Sequence, residues 1–88
     1  MEIKVTVKNR LGVHARPSGQ IVQITSKAKS QVFLHYNGVT ANAKSILNIM
    51  MLAIESGSEV RFEIEGEDEN LLAKQLEELF ENKFYEEE

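Results

Sequence analysis

Cysteine is absent from the 88 residues, which excludes disulfides and thiolate chemistry and fits the cytoplasmic location expected for this chain. No apolar run approaches the ~20 residues of a membrane span. Charged residues interrupt the apolar ones in Met1-Glu2-Ile3-Lys4, so neither membrane insertion nor a signal peptide is expected. Histidine is scarce: there are only two, His14 and His35, with no acids near them in sequence, so no metal site is expected. No Ser-His-Asp set stands out, no paired carboxylates sit beside an evident pocket, and Gly57-Ser58-Glu59 is far too little for a phosphate loop. No cofactor is implied. Repeats, linkers and low-complexity stretches are also missing. With an isoelectric point near 5.2 and no interleaving of basic and aromatic residues, nucleic acid is not an expected partner.

What is present is one small domain, residues 1–88, with a modest core. Its net charge of −4 hides a polarity. Residues 1–50 carry seven Lys or Arg against one acid, and residues 51–88 carry three against thirteen acids. The acidic half reads as a solvated face, whereas the basic half suits an acidic partner or a phosphate.

Ile3, Val5 and Val7 alternate with polar residues and predict a half-buried strand. A loop follows from Asn9 to Gly12, then a helix from about Arg16 to Thr25 or Ser26. Val32, Leu34 and Tyr36 predict a second strand that leaves Phe33 and His35 on an open face. Asn37-Gly38 is a strong signal for a type I′ turn into a third strand, Val39 to Asn42. Ser45 to Ile54 reads as a helix that Ser45 caps, with apolar residues most of the way round, so some of them must reach solvent and mark a partner surface. Val60, Phe62 and Ile64 form the most regular strand, which Gly66 ends. Asp68 is expected to cap a last helix with Leu71, Leu72, Leu76, Leu79 and Phe80 on one face and Lys83 near its end. Phe84 to Glu88 is expected to be a frayed tail. The order β-α-β-β-α-β-α, with one wet sheet face, predicts an α+β, two-layer open-faced β-sandwich: an antiparallel four-stranded sheet with three helices on one face.

The most informative stretch is Leu11 to Gly19. The only proline, Pro17, has the φ of a helical first turn and lacks the N–H that such a turn leaves unbonded. No Ser, Thr, Asp or Asn precedes it to bond the remaining free N–H groups. Those donors and the positive end of the helix dipole suit an anion. A phosphate carried on His14 would sit there, with Arg16 close enough to share its charge. A positive side chain at a helix start is otherwise mildly unfavourable, which favours this role for Arg16. The dipole also disfavours the imidazolium form, so the ring is expected neutral and nucleophilic at pH 7.

Gly12-Val13-His14-Ala15-Arg16-Pro17 is very similar to the Gly-[Ile/Leu/Val]-His-Ala-Arg-Pro signature of the HPr family, the histidine-containing phosphocarriers of the bacterial phosphotransferase system. Gly38, Asn42-Ala43-Lys44-Ser45-Ile46 and Glu65-Gly66-Glu67-Asp68-Glu69 extend the resemblance in register over nearly the whole chain. It implies that Nδ1 of His14 takes a phosphoryl group from phosphorylated enzyme I, with phosphoenolpyruvate upstream, and passes it to sugar-specific IIA proteins in sugar uptake. Such a protein is a carrier without turnover of its own and is expected to be a monomer. Arg16 would share the catalytic role, with Ala15, Pro17 and Ser18 supporting the phosphate. Ser18 and Gly19 depart from the alanine commoner after the proline, but both remain small and let a partner approach. Gly19, Ile46, Leu47 and Met50 form the expected interface, with Leu47 and Met50 flanking the His14 loop.

In many members of the family the serine corresponding to Ser45 is phosphorylated by a dedicated ATP-dependent kinase. The resemblance therefore implies a serine kinase/phosphorylase and a transcriptional regulator as further partners. Two other readings stay open: a regulatory binding module controlled through Ser45, and the nitrogen-related branch of the same family. Retention of His14 weighs against a purely regulatory module.

Overall fold

Val60, Phe62 and Ile64 alternate with Glu59, Arg61, Glu63 and Glu65, and this single strand puts three apolar side chains on the side that the rest of the fold covers. In the computed structural model, which describes residues 1–86, the strand is β4 (Glu59–Glu65). It lies between β1 (Glu2–Thr6) and β2 (Gln31–Tyr36), and β2 carries β3 (Val39–Asn42) on its far edge. The sheet order is β1-β4-β2-β3 and every pairing is antiparallel. The register sets Val5 against Val60, Val32 against Ile64, and both Ile3 and Leu34 against Phe62, so the apolar side chains stack on one face. The helices α1 (Ala15–Thr25), α2 (Ile46–Met51) and α3 (Glu69–Glu81) cover that face. This is the expected β-α-β-β-α-β-α sandwich.

Phe62, Phe80 and Phe84 are the largest fully buried side chains, packed with Ile21, Leu34, Ile49, Ile64, Leu72 and Leu76. Truncating one such aromatic to alanine costs about 3–5 kcal/mol. The opposite sheet face is polar apart from the exposed Phe33: His35 meets Glu63, and Arg61 pairs with Glu2. Asn37 (φ 50°) and Gly38 (φ 77°) supply the two left-handed residues that a two-residue hairpin turn requires.

Four expectations change. The second helix stops at Met51 instead of reaching Ile54, because the N–H groups of Leu52 and Ala53 tighten onto the carbonyls of Ile49 and Met50 and Ala53 turns left-handed (φ 51°). That turn sends Ile54 back into the core, where its carbonyl accepts from Val13 N–H at 3.0 Å. Asp68 occupies the N-cap position of α3 without making the cap bond. Its carboxylate instead accepts from the N–H groups of Lys29 (2.8 Å) and Ser30 (3.0 Å) and from the Ser30 hydroxyl, clamping the α1–β2 connection. The Ser30 hydroxyl first, and the Lys29 N–H next, hold the Asp68 carboxyl below its ordinary value of 3.8.

The third change is on α3, where Leu71 points to solvent and Ala73 takes the core place beside Leu72; Lys83 lies beyond the helix, whose last turn holds no basic residue. The fourth is the C-terminal segment, which is not frayed through Glu86. Lys83–Tyr85 form a short turn in which all three residues have positive φ (54°, 56° and 58°). This turn drives Phe84 into the core, with its ring centroid 4.7 Å from that of Phe80 and edge-on to it. Glu87 and Glu88, also assigned to the tail, lie outside the described residues.

Candidate functional site

The loop between β1 and α1 is held from three sides. The Asn9 side chain, fully buried, donates to the Gly12 carbonyl at 2.7 Å. Gly12 has φ 73° and lies so close to the α2–β4 connection that a Cβ there would stand 2.5 Å from the Ile54 carbonyl oxygen. Only glycine combines that dihedral with that approach. Val13 is buried and bonded to Ile54, so the next residue, His14, emerges at the surface as the N-cap of α1.

The helix begins at Ala15, one residue earlier than the sequence suggests, and Pro17 sits third in its first turn. The N-cap has extended backbone and makes no side-chain cap bond. The Ser18 N–H closes the first helical bond, to the His14 carbonyl at 3.0 Å. The backbone N–H groups of Ala15 and Arg16 therefore meet no acceptor among the described residues. Pro17 has no N–H to offer. The Ser18 side chain is fully buried and its hydroxyl donates to the same His14 carbonyl at 2.8 Å, so Ser18 fixes the helix start and does not present an oxygen to the surface. Arg16 is exposed, and its side chain makes no ion pair among the described residues.

The His14 side chain is 37% exposed, and its Nε2 lies 2.8 Å from Oε2 of Glu86. The other oxygen of that carboxylate, Oε1, accepts from Asn9 Nδ2 at 3.0 Å. A carboxylate at neutral pH only accepts, so Nε2 is the donor in this contact, and in the neutral ring the lone pair then lies on Nδ1. Nδ1 has no partner among the described residues.

The surroundings divide in two. On one side an open cleft runs from His14 and Leu11 to Met50 and Ala53. On the other, Ala15, Arg16, Gly19 and Ile46 line a groove between α1 and α2. Ile46, Leu47, Met50 and Met51 are all exposed, and Ile49 alone of α2 is buried. Of the two residues expected to flank the loop, Met50 lines the His14 cleft; Leu47 projects to solvent at 67% exposure and is not in its lining. Ser45 is the N-cap of α2, and its hydroxyl oxygen accepts from Asn48 N–H at 3.2 Å and from Asn48 Nδ2 at 3.0 Å.

Two acids overturn the expectation that the histidines lack acidic neighbours. Glu86 meets His14, and Glu63 meets His35 across the sheet at 2.9 Å, with Thr40 Oγ1 on the other His35 nitrogen at 2.8 Å. Each histidine has a single carboxylate, and no cluster of three metal-ligating side chains occurs among the described residues. No helix among them is long and apolar enough to cross a membrane. Glu86 is the residue that sequence reasoning missed. A signal was available: Leu72, Leu76, Phe80 and Phe84 repeat at a spacing of four, so the apolar stripe of α3 runs on past Lys83.

A histidine with one nitrogen held and the other free, beside unbonded helix N–H groups on an open surface, defines a class of protein that carries an anionic group on a side chain instead of enclosing a substrate. Residues 1–82 match the family model described as PTS HPr component phosphorylation site. The chain is 45% identical to phosphocarrier protein HPr of Xylella fastidiosa (strain Temecula1) over 86 residues, covering 98% of this chain and 97% of that one. It is 46% identical to phosphocarrier protein HPr of Treponema pallidum (strain Nichols) over 83 residues, 94% of each. The crystal structure of HPr-C-His from Thermoanaerobacter tengcongensis superposes with a TM-score of 0.94 at 41% identity, covering 100% of this chain and 99% of the other. The chain belongs to the HPr family of phosphocarriers of the phosphotransferase system.

Proposed function

We propose that His14 accepts a phosphoryl group on Nδ1 from phosphorylated enzyme I, which is charged from phosphoenolpyruvate, and hands it to sugar-specific IIA proteins during sugar uptake. The carrying observation is the His14 ring: Nε2 is engaged by Glu86, while among the described residues Nδ1 is free at the start of a helix whose Ala15 and Arg16 N–H groups have no acceptor. The Nδ1 lone pair attacks phosphorus as the donor's bond to phosphorus breaks and its electron pair returns to the donor, and the reverse sequence delivers the group onward. Such a loose transfer needs positioning and charge stabilisation more than covalent help. The two N–H groups and the Arg16 guanidinium supply it, and Ala15, Pro17 and Ser18 keep the helix start in place. Because these donors lie on an open surface, the stabilisation stays moderate and the phosphate moves on. The protein is a cytoplasmic, monomeric carrier, covalently modified in transit, with no turnover of its own.

Ile46, Leu47, Met50 and Gly19 form the docking face, continuous with the His14 cleft through Met50 and with the Arg16 groove through Gly19 and Ile46. Ser45 stands at the edge of that face, and a phosphate there would meet the N–H groups of α2 while placing nearly two negative charges beside apolar contacts. This supports regulation through Ser45 by a serine kinase/phosphorylase and readout by a transcriptional regulator.

The test mixes the protein with enzyme I and labelled phosphoenolpyruvate. We expect an acid-labile, base-stable label on the wild type, none on His14→Ala, and unchanged folding of that variant. Label of the same lability persisting in His14→Ala would move the site elsewhere. Onward transfer to nitrogen-branch IIA proteins but not to sugar-specific ones would place the chain in the nitrogen-related branch.

A further inference from the structure

We infer that Glu86 is a positioning residue for phosphoryl transfer at His14, and that the C-terminal turn belongs to the site. The inference rests on the phosphocarrier reading of His14. Four observations carry it. The Glu86 side chain is only 10% exposed, although three of the last four residues of the α3-to-tail segment before it, Asn82, Lys83 and Tyr85, face solvent. Both carboxylate oxygens are engaged, one by His14 Nε2 at 2.8 Å and one by the fully buried Asn9 at 3.0 Å. Asn9 is the same side chain that pins the Gly12 carbonyl, so one amide ties the His14 loop to the tail. Finally, the segment is anchored independently of His14, through buried Phe84 and through Gln20 Nε2, which donates to the Phe84 carbonyl at 3.0 Å.

The chemical consequence concerns the ring during transfer. While Nδ1 forms its bond to phosphorus, the pair of the donor's breaking bond to phosphorus returns to the donor, and the His14 ring gains positive charge that is shared with Nε2–H. Glu86 Oε2 accepts that N–H throughout, so the charge is balanced where it develops and no proton has to leave Nε2. When the group passes on, the N–P pair returns to the His14 ring and the same hydrogen bond holds a neutral imidazole. The carboxylate therefore does two things: it keeps the proton on Nε2, and it stabilises the charged ring of the carrier state.

The test compares wild type, Glu86→Ala and Glu86→Gln. Nitrogen-15 NMR of the free protein reads the tautomer without any phosphoryl donor. We expect the His14 ring of the wild type to be protonated at Nε2, and the Glu86→Ala ring to give the averaged shifts of a mixed tautomer. Kinetics with enzyme I should show the maximal transfer rate of Glu86→Ala down about ten-fold, the size expected for losing one charge-assisted hydrogen bond. The apparent affinity for enzyme I should be unchanged, because so little of Glu86 reaches the surface. Glu86→Gln has one oxygen for two donors and should also be slow. Thermal melts of both variants should stay near wild type, since Phe84 is untouched. Wild-type tautomer and rate in Glu86→Ala would overturn the proposal, and so would faster transfer, which would make the carboxylate an obstruction. A wild type that takes no label at all would instead overturn the phosphocarrier reading, while the NMR comparison would still report on Glu86.

Discussion

Arg16 illustrates how a single side chain separates charge from packing. It projects from the first turn of α1, exposed and without an ion-pair partner among the described residues, at the end of the helix where a positive charge gains nothing from the dipole. Arg16→Ala should therefore leave the melt within about 0.5 kcal/mol of wild type. The same change should slow phosphoryl transfer about ten-fold, through loss of a charge-assisted contact to the phosphate. Wild-type transfer rates in both directions would show the guanidinium to be merely solvated. At this scale the sequence was informative where chemistry is local: the unfilled cap before Pro17 could be read directly, whereas Ser18, expected beside the phosphate, is buried and bonds the His14 carbonyl. It was silent where the partner is remote, since the contact of Glu86 with His14 spans 72 positions.

The six-residue helix α2 is short because of its last turn, and that turn shapes the apolar face proposed for docking. Nothing in Met50-Met51-Leu52-Ala53-Ile54 marks an end, because the left-handed residue is alanine where glycine is the usual choice. Local reading therefore extended the helix to Ile54, while the tertiary bond from Val13 to the Ile54 carbonyl turned the chain away. The excess of apolar residues was legible, and so was the exposure of some of them: Leu47 and Met50 are exposed and Ile49 is buried. Leu47→Glu or Met50→Glu should weaken enzyme I docking by about 1–3 kcal/mol with an unchanged melt, if measured by transfer rate against carrier concentration. Ile49→Ala should do the reverse, costing about 2–5 kcal/mol of stability. A loss of melting temperature in the two Glu variants would mean that their side chains are needed for packing.

For the whole molecule, the long connections decide what local pattern could not. Asp68 was legible as a residue at the start of α3, yet its carboxylate serves the α1–β2 connection 38 and 39 positions away. Its folded value is depressed by the Ser30 hydroxyl and the Lys29 N–H. The stability it contributes is therefore present above the ordinary value of 3.8 and is lost as pH falls through the lower folded value. Asp68→Asn should melt earlier than wild type at neutral pH, and the gap should close as the pH is taken below 3.8. A gap that stays constant through that range would assign the effect of the substitution to geometry alone.

The left-handed turn at Lys83–Tyr85 gives the site a clock. Three consecutive residues in that conformation cost about 1–2 kcal/mol each, and the burial of one ring, Phe84, opposes the sum. Such a segment is expected to open more often than the sheet beneath it, without waiting for the rest of the molecule to unfold. An opening of this turn would withdraw Glu86 from His14 and a closure would return it, because the contact is carried by a turn some seventy residues further along the chain. On that inference the readiness of His14 to react becomes a time average, and a substitution that steadies or loosens Phe84 should change it without touching the loop in which the histidine stands.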